Sequence, residues 1–325
     1  MIHDLGHRDP VRRRIEALGS SMSLPTVRKA MGILEGEHPS VMRGNGYDIA
    51  GIRTYEPGDE TRLIDWKSSA KTGRPMVVDK DRQLTSKVWL LLDVGREMTG
   101  NCPSGEEAIQ VAANALCMFA ALSLRRSDEV CLVLADSSTI TRIPCRGGFA
   151  RFEQTLDRAV MNRRSDSRNI GALLDFALKI RDRHALLVLA TDETALHEDH
   201  LATIRRLTQT HPLSLASVRL LNPLRPEEDL GPILEAQSGR KVPAFLRTER
   251  TGQEVAVHRG YVAAALRHEL ARSGSTLVRA ESSQAMFEQF IHLLSITLPT
   301  VSAGYSARRS AAGPTTAPIS GRSGR

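Results

Sequence analysis

Lys87-Val88-Trp89-Leu90-Leu91-Leu92-Asp93 is an unbroken apolar run closed by a carboxylate. A strand with one wet face alternates apolar and polar residues; a run without alternation is what a strand buried on both faces requires. The pattern recurs in Glu129-Val-Cys-Leu-Val-Leu-Ala135, in Ala185-Leu-Leu-Val-Leu-Ala-Thr191, in Leu213 to Leu220 and, shorter, in Thr276 to Arg279. Thr139 to Pro144 reads as a hairpin partner of the second run. Between the runs the period changes to that of a helix. Ile109, Ala113, Leu116 and Ala120 recur at helical spacing behind Ser104-Gly-Glu-Glu107, which has the form of a capping box. Further helices are predicted at 148–162, 169–182, 198–210, 259–273 and 284–297. Strands alternating with helices imply an α/β domain with a mainly parallel sheet covered on both faces.

Upstream, residues 10–35 read as one or two short helices broken at Leu24-Pro25. From Gly44 to Asp81 turn signals such as Gly-Asn-Gly and Pro-Gly-Asp punctuate short extended pieces, a β-leaning segment. Downstream, the last 25 or so residues are Ser, Ala, Gly, Pro, Thr and Arg, too polar to bury a core and expected to be disordered. The organisation expected is N-terminal helices at 1–40, the β-leaning segment at 41–86, the α/β domain at 87–298 and a basic tail at 299–325.

Composition narrows the classes. The chain has 325 residues, is 41% hydrophobic and carries a formal charge of +7. Arg308, Arg309, Arg322 and Arg325 account for four of those charges without any acid in the tail, which leaves +3 for the rest. The tail could touch an acidic surface. The pairs Arg125-Arg126, Arg163-Arg164 and Arg205-Arg206 and the run Arg12-Arg13-Arg14 are short and scattered, whereas nucleic-acid binding needs them to converge. Cys102, Cys117, Cys131 and Cys145 lack the close pairing of a zinc site and read as reduced thiols. Ala108–Leu124 carries Gln110, Asn114 and Ser123 and is too short for a membrane span. With no apolar leader, a cytoplasmic location is expected.

The segment before the first strand reads Arg53-Thr-Tyr55-Glu-Pro-Gly58-Asp59-Glu-Thr-Arg62-Leu-Ile64-Asp65-Trp66-Lys67-Ser-Ser69-Ala70, followed by Gly73, Pro75 and Val77. With the strand-end aspartates Asp93 and Asp192, this resembles the domain-of-unknown-function-58 family (DUF58), whose members couple such a signature to a von Willebrand A-like domain. The resemblance covers residues 40–298. It implies a bacterial, non-enzymatic, chaperone-like component that works with a MoxR-type AAA+ ATPase in assembling, activating or remodelling a client protein.

In von Willebrand A domains the metal-ion-dependent adhesion site reads Asp-x-Ser-x-Ser after the first strand, with a later Thr and an Asp after the fourth strand. Here the first element is Asp93-Val94-Gly95-Arg96-Glu97, so both serines are replaced. The Thr-bearing loop matches Ser167-Arg168-Asn169-Ile170-Gly171-Ala172-Leu173, with Arg168 in the hydroxyl position unless the match slips to Ser167. A guanidinium about 5 Å from a dication costs on the order of 7 kcal/mol at an effective dielectric near 20, which disfavours Mg²⁺. The resemblance therefore implies a degenerate site of Asp93, Gly95, Glu97, Arg168 and Asp192 with no cofactor. Arg168 either neutralises Asp93, Asp192 or Glu97, or these groups are solvated loop residues. Arg96, Glu97 and Glu193 are candidate partner contacts.

Asp59 and Asp65 could act as paired carboxylates, although Pro57-Gly58-Asp59 is also turn chemistry. A network of Arg53, Arg62, Asp59 and Asp65 with Trp66 wedged against the sheet is the structural reading. His197 and His200 could share a metal, or simply open a helix. No nucleophile elbow, phosphate loop or dinucleotide fingerprint is present. Two alternatives stay open: a divalent-metal-dependent binding or hydrolytic protein using Asp93 and Asp192, and a nucleic-acid-binding protein.

Overall fold

A computed structural model describes residues 9–21, 48–56, 61–81, 87–124, 129–162, 166–183, 185–226 and 232–297. In chain order the elements are α1 (Pro10–Ser21), β1 (Asp48–Thr54), α2 (Trp66–Thr72), β2 (Met76–Asp81), β3 (Lys87–Asp93), α3 (Ala108–Leu124), β4 (Glu129–Ala135), β5 (Ile140–Cys145), α4 (Phe149–Met161), α5 (Ile170–Leu178), β6 (Leu186–Asp192), α6 (Glu198–Thr210), β7 (Leu213–Val218), α7 (Glu249–Ala271), β8 (Thr276–Ala280) and α8 (Ser283–Thr297).

Six strands form one sheet in the order β5-β4-β3-β6-β7-β8. All neighbours are parallel except the edge strand β5, which runs antiparallel to β4. This is the doubly wound α/β arrangement expected of a von Willebrand A-like domain. The unbroken run at 87–93 is explained by its two faces. Val88, Leu90 and Leu92 join the core made with α1, α3, α4 and α8, while Leu91 and the half-buried Trp89 join the core made with α5, α6 and α7. Chain connections leave β3 in one direction and reach β6 from the other, so the topological switch point falls between β3 and β6. Ligands and partners of open α/β sheets meet the carboxyl ends of the strands at such a point. Asp93 and Asp192 end those two strands.

The chain divides into two compact units, residues 1–34 with 87–325 and, separately, residues 35–86. The helix α1 thus belongs to the α/β domain and not to a separate N-terminal element, because it closes one face of the core. Ile15 is fully buried, Arg12 bonds Asn114 Oδ1 at 2.8 Å and Asp157 at 2.6 Å, and Arg14 lies over the Phe287 ring at 4.5 Å. Arginines 12 and 14, read from the sequence as part of a basic run, are structural ties.

In the second unit β1 pairs antiparallel with β2, the β-leaning character expected of the signature. Asp65 caps α2 by accepting from Lys67 N at 3.0 Å and Ser68 Oγ at 2.7 Å. Ser69 Oγ donates to Asp65 O and accepts from Met76 N, and Gly73 ends the helix at φ +68°. Asp65 is therefore occupied as a helix cap, which accords with the structural reading of this residue. Its partner in that reading, Asp59, lies with Gly58 outside the described residues. Trp66, the first residue of α2, is 73% exposed. Arg62 is exposed and Tyr55 half-buried, the Tyr55 N–H bonding Pro75 O at 2.8 Å.

Several boundaries differ from the sequence reading; α5 ends at Leu178 and β7 at Val218, short of the predicted ends. The helix α3 starts at Ala108, and Ser104 is not its cap. Ser104 Oγ donates to Glu281 O at 2.9 Å, while the Glu106 carboxylate accepts from Ser283 N at 3.0 Å and caps α8 instead. The helix α7 starts ten residues earlier than predicted, at Glu249. Its first turns are mostly exposed and contain Gly252, which hides the helical period from the sequence. Among the described residues no helix is long and apolar enough to cross a membrane. The arginine pairs 125–126 and 163–164 and the tail at 299–325 lie outside the described residues.

Candidate functional site

At the switch point Asp93 and Asp192 are both buried, with relative exposures of 1% and 0%. Each is held by its own strand-end loop, and Asp93 by the neighbouring strand as well. Asp93 accepts from Gly95 N at 2.9 Å and from Thr191 Oγ1 at 2.8 Å. Asp192 accepts from Thr194 N at 2.7 Å and Thr194 Oγ1 at 2.6 Å, a turn in which an Asp bonds the residue two positions on.

The Arg168 side chain enters between them. Its Nη2 pairs with Asp192 Oδ2 and its Nη1 lies 3.4 Å from both Asp192 Oδ1 and Thr194 Oγ1. Arg168 Nε lies 3.3 Å from Asp93 Oδ2, close enough for an ion pair but not aligned for a hydrogen bond. Glu97 accepts from the Arg168 backbone N–H at 2.9 Å and lies 4.0 Å from Nε. The solvated-loop alternative does not describe these groups, which are 86% buried or more at the side chain.

Backbone contacts fix this loop. Arg96 N donates to Asp166 O and Ser137 N donates to Ser167 O, each at 2.7 Å. Asp136 anchors the Ser137 turn by accepting from Ser138 N at 2.8 Å and Thr139 N at 2.7 Å. Asn169 then caps α5 by accepting from Ala172 N at 3.0 Å. With Ser167 held by its carbonyl and Asn169 by its cap, the residue between them, Arg168, reaches the site. Gly95 makes the fit possible: a Cβ there would stand 2.6 Å from Arg168 Cα and Cβ, so a serine at 95 and this placement of Arg168 exclude each other.

The electrostatics follow from burial. Burial pushes the Asp93 carboxyl above its ordinary value, opposed by Arg168, by the Gly95 N–H and by Thr191. Burial acts to lower the Arg168 pKa, but Asp192 foremost, then Asp93 and Glu97, outweigh it and raise the value. The guanidinium is a permanent cation.

Glu193 and Glu97 are not the surface contacts expected from the sequence. Glu193 is clamped by Arg259 Nη1 at 2.9 Å and by Arg279, and it also accepts from Leu220 N at 3.2 Å. It ties the end of β6 to α7 and β8, because a carboxylate this deep requires paired cations. Arg96 is exposed. His200 Nδ1 accepts from His197 N at 3.1 Å, so this pair closes the first turn of α6, and burial together with the neighbouring His197 lowers the His200 pKa. Of the remaining arginines, Arg205 is bidentate to Glu269 at 2.7 and 2.8 Å.

Thr191 and Thr194, which orient the two aspartates, were not singled out in the sequence. The Asp192-Glu193-Thr194 spacing was the available signal for Thr194. Thr191 had none, since its hydroxyl meets Asp93 only through the parallel register of β3 and β6.

An uncharacterized protein of Mycobacterium tuberculosis (strain H37Rv) and one of Mycobacterium bovis are each 26% identical to this chain over 188 residues, 55% of this chain. The match spans 57% of the length of those relatives. Among solved structures, an aerotolerance-related membrane protein from Bacteroides fragilis superposes with TM-score 0.40 at 12% identity, covering 65% of this chain and 98% of that one. The SpRpn10 VWA domain gives TM-score 0.40 at 10% identity, covering 64% and 95%. The model of the family described as protein of unknown function DUF58 matches residues 51–239, more than half of the chain and including both strand-end aspartates, and the chain belongs to that family.

Proposed function

We propose that this chain is a non-enzymatic protein-interaction component whose partner surface is the carboxyl-end edge of the sheet, with Arg168 standing where related domains hold a divalent ion. The observation that carries the reading is the guanidinium between Asp93 and Asp192. The oxygen atoms that could ligate Mg²⁺ there belong to Asp93, Asp192, Glu97, Thr191 and Thr194, but the guanidinium fills the space among them and Gly95 offers no hydroxyl. The residues present do not fit a divalent ion, since Mg²⁺ needs a near-octahedral shell of oxygens. A metal-dependent hydrolytic reading would require Arg168 to leave two buried carboxylates. The site is thus a fixed polar plug that shapes the loops around it, with Arg96 presented outward.

The partner in this reading is a MoxR-type AAA+ ATPase, with which the chain assembles, activates or remodels a client in the cytoplasm. The test is co-purification from the native cell using tagged wild-type chain and an Arg96→Glu variant. Recovery of an AAA+ ATPase by the wild type, reduced by the charge reversal, is expected. Wild-type chain that brings down no such ATPase under nucleotide-bound conditions would end the proposal.

A further inference from the structure

Lys87 and Asp93 stand at opposite ends of β3, about 20 Å apart for a strand of seven residues, so what surrounds Lys87 is remote from the Arg168 site. Residues paired across neighbouring strands share a face. The register puts Lys87 with Glu129, Trp89 with Cys131 and Pro144, and Val133 with Arg142 on one such face. Toward the carboxyl end of that face, Leu91 and Val133 are buried with the apolar side chains of α5. Toward the other end Lys87 and Glu129 are exposed, and a cavity of about 540 Å³ opens beside Trp89, Cys131 and Arg142 and reaches the loop at Arg146 and Gly147. Its size is that of a site for a small organic ligand.

The charge at this corner is positive. Lys87, Glu129, Arg142 and Arg146 line the cavity, and Glu129 is already paired with Lys87 at 3.5 Å. Arg151 adds a further cation at the rim, where a Cβ on Gly147 would stand 3.0 Å from its Cδ. The acids of the adjoining helix α4, Glu153 and Asp157, face Arg12. Gly148 opens α4 with no side-chain cap and no acid in the first turn, which adds the same sign. Arg142 is also held in place. Its Nε donates to Cys131 Sγ at 3.3 Å and its guanidinium lies over the Trp89 ring at 4.7 Å, leaving both Nη groups without an acid among the described residues. A guanidinium fixed in this way gives up little further freedom on meeting an anion.

We propose that this cavity binds a phosphate monoester borne on an apolar or aromatic body, the phosphate meeting Arg142 and Arg146 and the body lying against Leu124, Val130 and Pro144. Two arginines without acids match a doubly charged group, and such a phosphate carries about −1.5 to −2 at neutral pH and accepts from guanidinium groups in pairs. The corner carries this whether or not the carboxyl-end edge meets an ATPase. The chain has two tryptophans, so Trp66→Phe, a change at an exposed position, leaves Trp89 as the single indole emitter. Titrating that full chain with phenyl phosphate should give a saturable change in Trp89 emission, and phenol none. Inorganic phosphate, lacking the ring, and benzoate, with one charge, should each bind roughly ten-fold more weakly. Arg142→Gln and Arg146→Gln should each weaken phenyl phosphate roughly ten-fold, while Arg250→Gln on α7 should leave it unchanged. Arg146 is exposed, so its variant keeps the test decisive if Arg142→Gln, which also uncovers Trp89, disturbs the fold. N-acetyl-phosphotyrosine amide separates the sources of the phosphate: tighter binding than phenyl phosphate assigns the cavity to a phosphorylated side chain, weaker binding to a free ester, and either result upholds the phosphate site. Benzoate binding as tightly as phenyl phosphate, a response that does not saturate, or an affinity unchanged by both arginine variants would overturn the proposal.

Discussion

Replacing Arg168 by alanine removes the one cation between two aspartates that are 1% and 0% exposed. At 3.3 Å and an effective dielectric near 20, its attraction to Asp93 alone is about 5 kcal/mol before desolvation is counted. Stranding the buried carboxylates while sparing the guanidinium its desolvation should leave a net loss of about 3–5 kcal/mol, a large share of a domain's stability. The loss must depend on pH. The folded Asp93 pKa already lies above its ordinary 3.8, so the folded state binds this proton more readily than the unfolded state. A carboxyl raised in this way favours folding most below the unfolded value, and that contribution is lost as pH climbs through the folded one. Without Arg168 the folded value rises further, and the window of lost stability extends upward. Urea unfolding should therefore show a small deficit near pH 5 and the full deficit at pH 7.5. Excess Mn²⁺ should restore part of the stability of the variant, about 2.7 kcal/mol at one hundred times its Kd, and none in the wild type. A variant as stable as the wild type at pH 7.5, or a deficit equal at both pH values, would refute this account of the site.

Gly95→Ser restores the hydroxyl of the related domains but collides with Arg168, and calorimetric melting should show a loss of about 1–3 kcal/mol. Arg168→Ala should not relieve this collision, because the Cα, Cβ and N of residue 168 that a Cβ at 95 meets are all kept in alanine, and the double variant should be at least as destabilised as either single one. Arg12→Ala removes the cation that bonds Asp157 and Asn114 and approaches Glu153, and should cost roughly 2–4 kcal/mol in denaturant titration, although α1 lies outside the matched family segment. Burial pushes the Cys102 and Cys117 thiols up to about 12, so site-resolved mass spectrometry after brief alkylation at pH 8 should find both unmodified until the chain is unfolded.

The strands were legible because a doubly covered strand must be apolar throughout, and runs such as 87–93 and 185–191 have few other readings in a chain of this composition. Helix ends were less so. Ser104 has the spacing of a cap for α3, yet a carbonyl brought close by the fold, that of Glu281, takes its hydroxyl. The first ten residues of α7 lack a helical period because most of them are exposed, and Gly252 reads as a breaker although it serves as a contact. In the site, Asp93 and Asp192 were legible as strand ends, whereas Gly95, Glu97 and Arg168 were picked out only through the resemblance to the adhesion-site motif. Their roles were not legible, because exposure decides whether a carboxylate can meet a partner. Glu193 looked like a free loop acid until α7 and β8 brought Arg259 and Arg279 to it.

The sequence by itself determined the alternation of strands and helices, the family signature and the two aspartates at the strand ends, because these depend on local periodicity and on residues close in the chain. The tertiary structure alone decided that α1 belongs to the α/β core, that Thr191 orients Asp93 and that the guanidinium of Arg168 lies between the aspartates. Each of those facts depends on groups many residues apart meeting at the ends of parallel strands, and burial, which sets the worth of a charge, exists only once they have met.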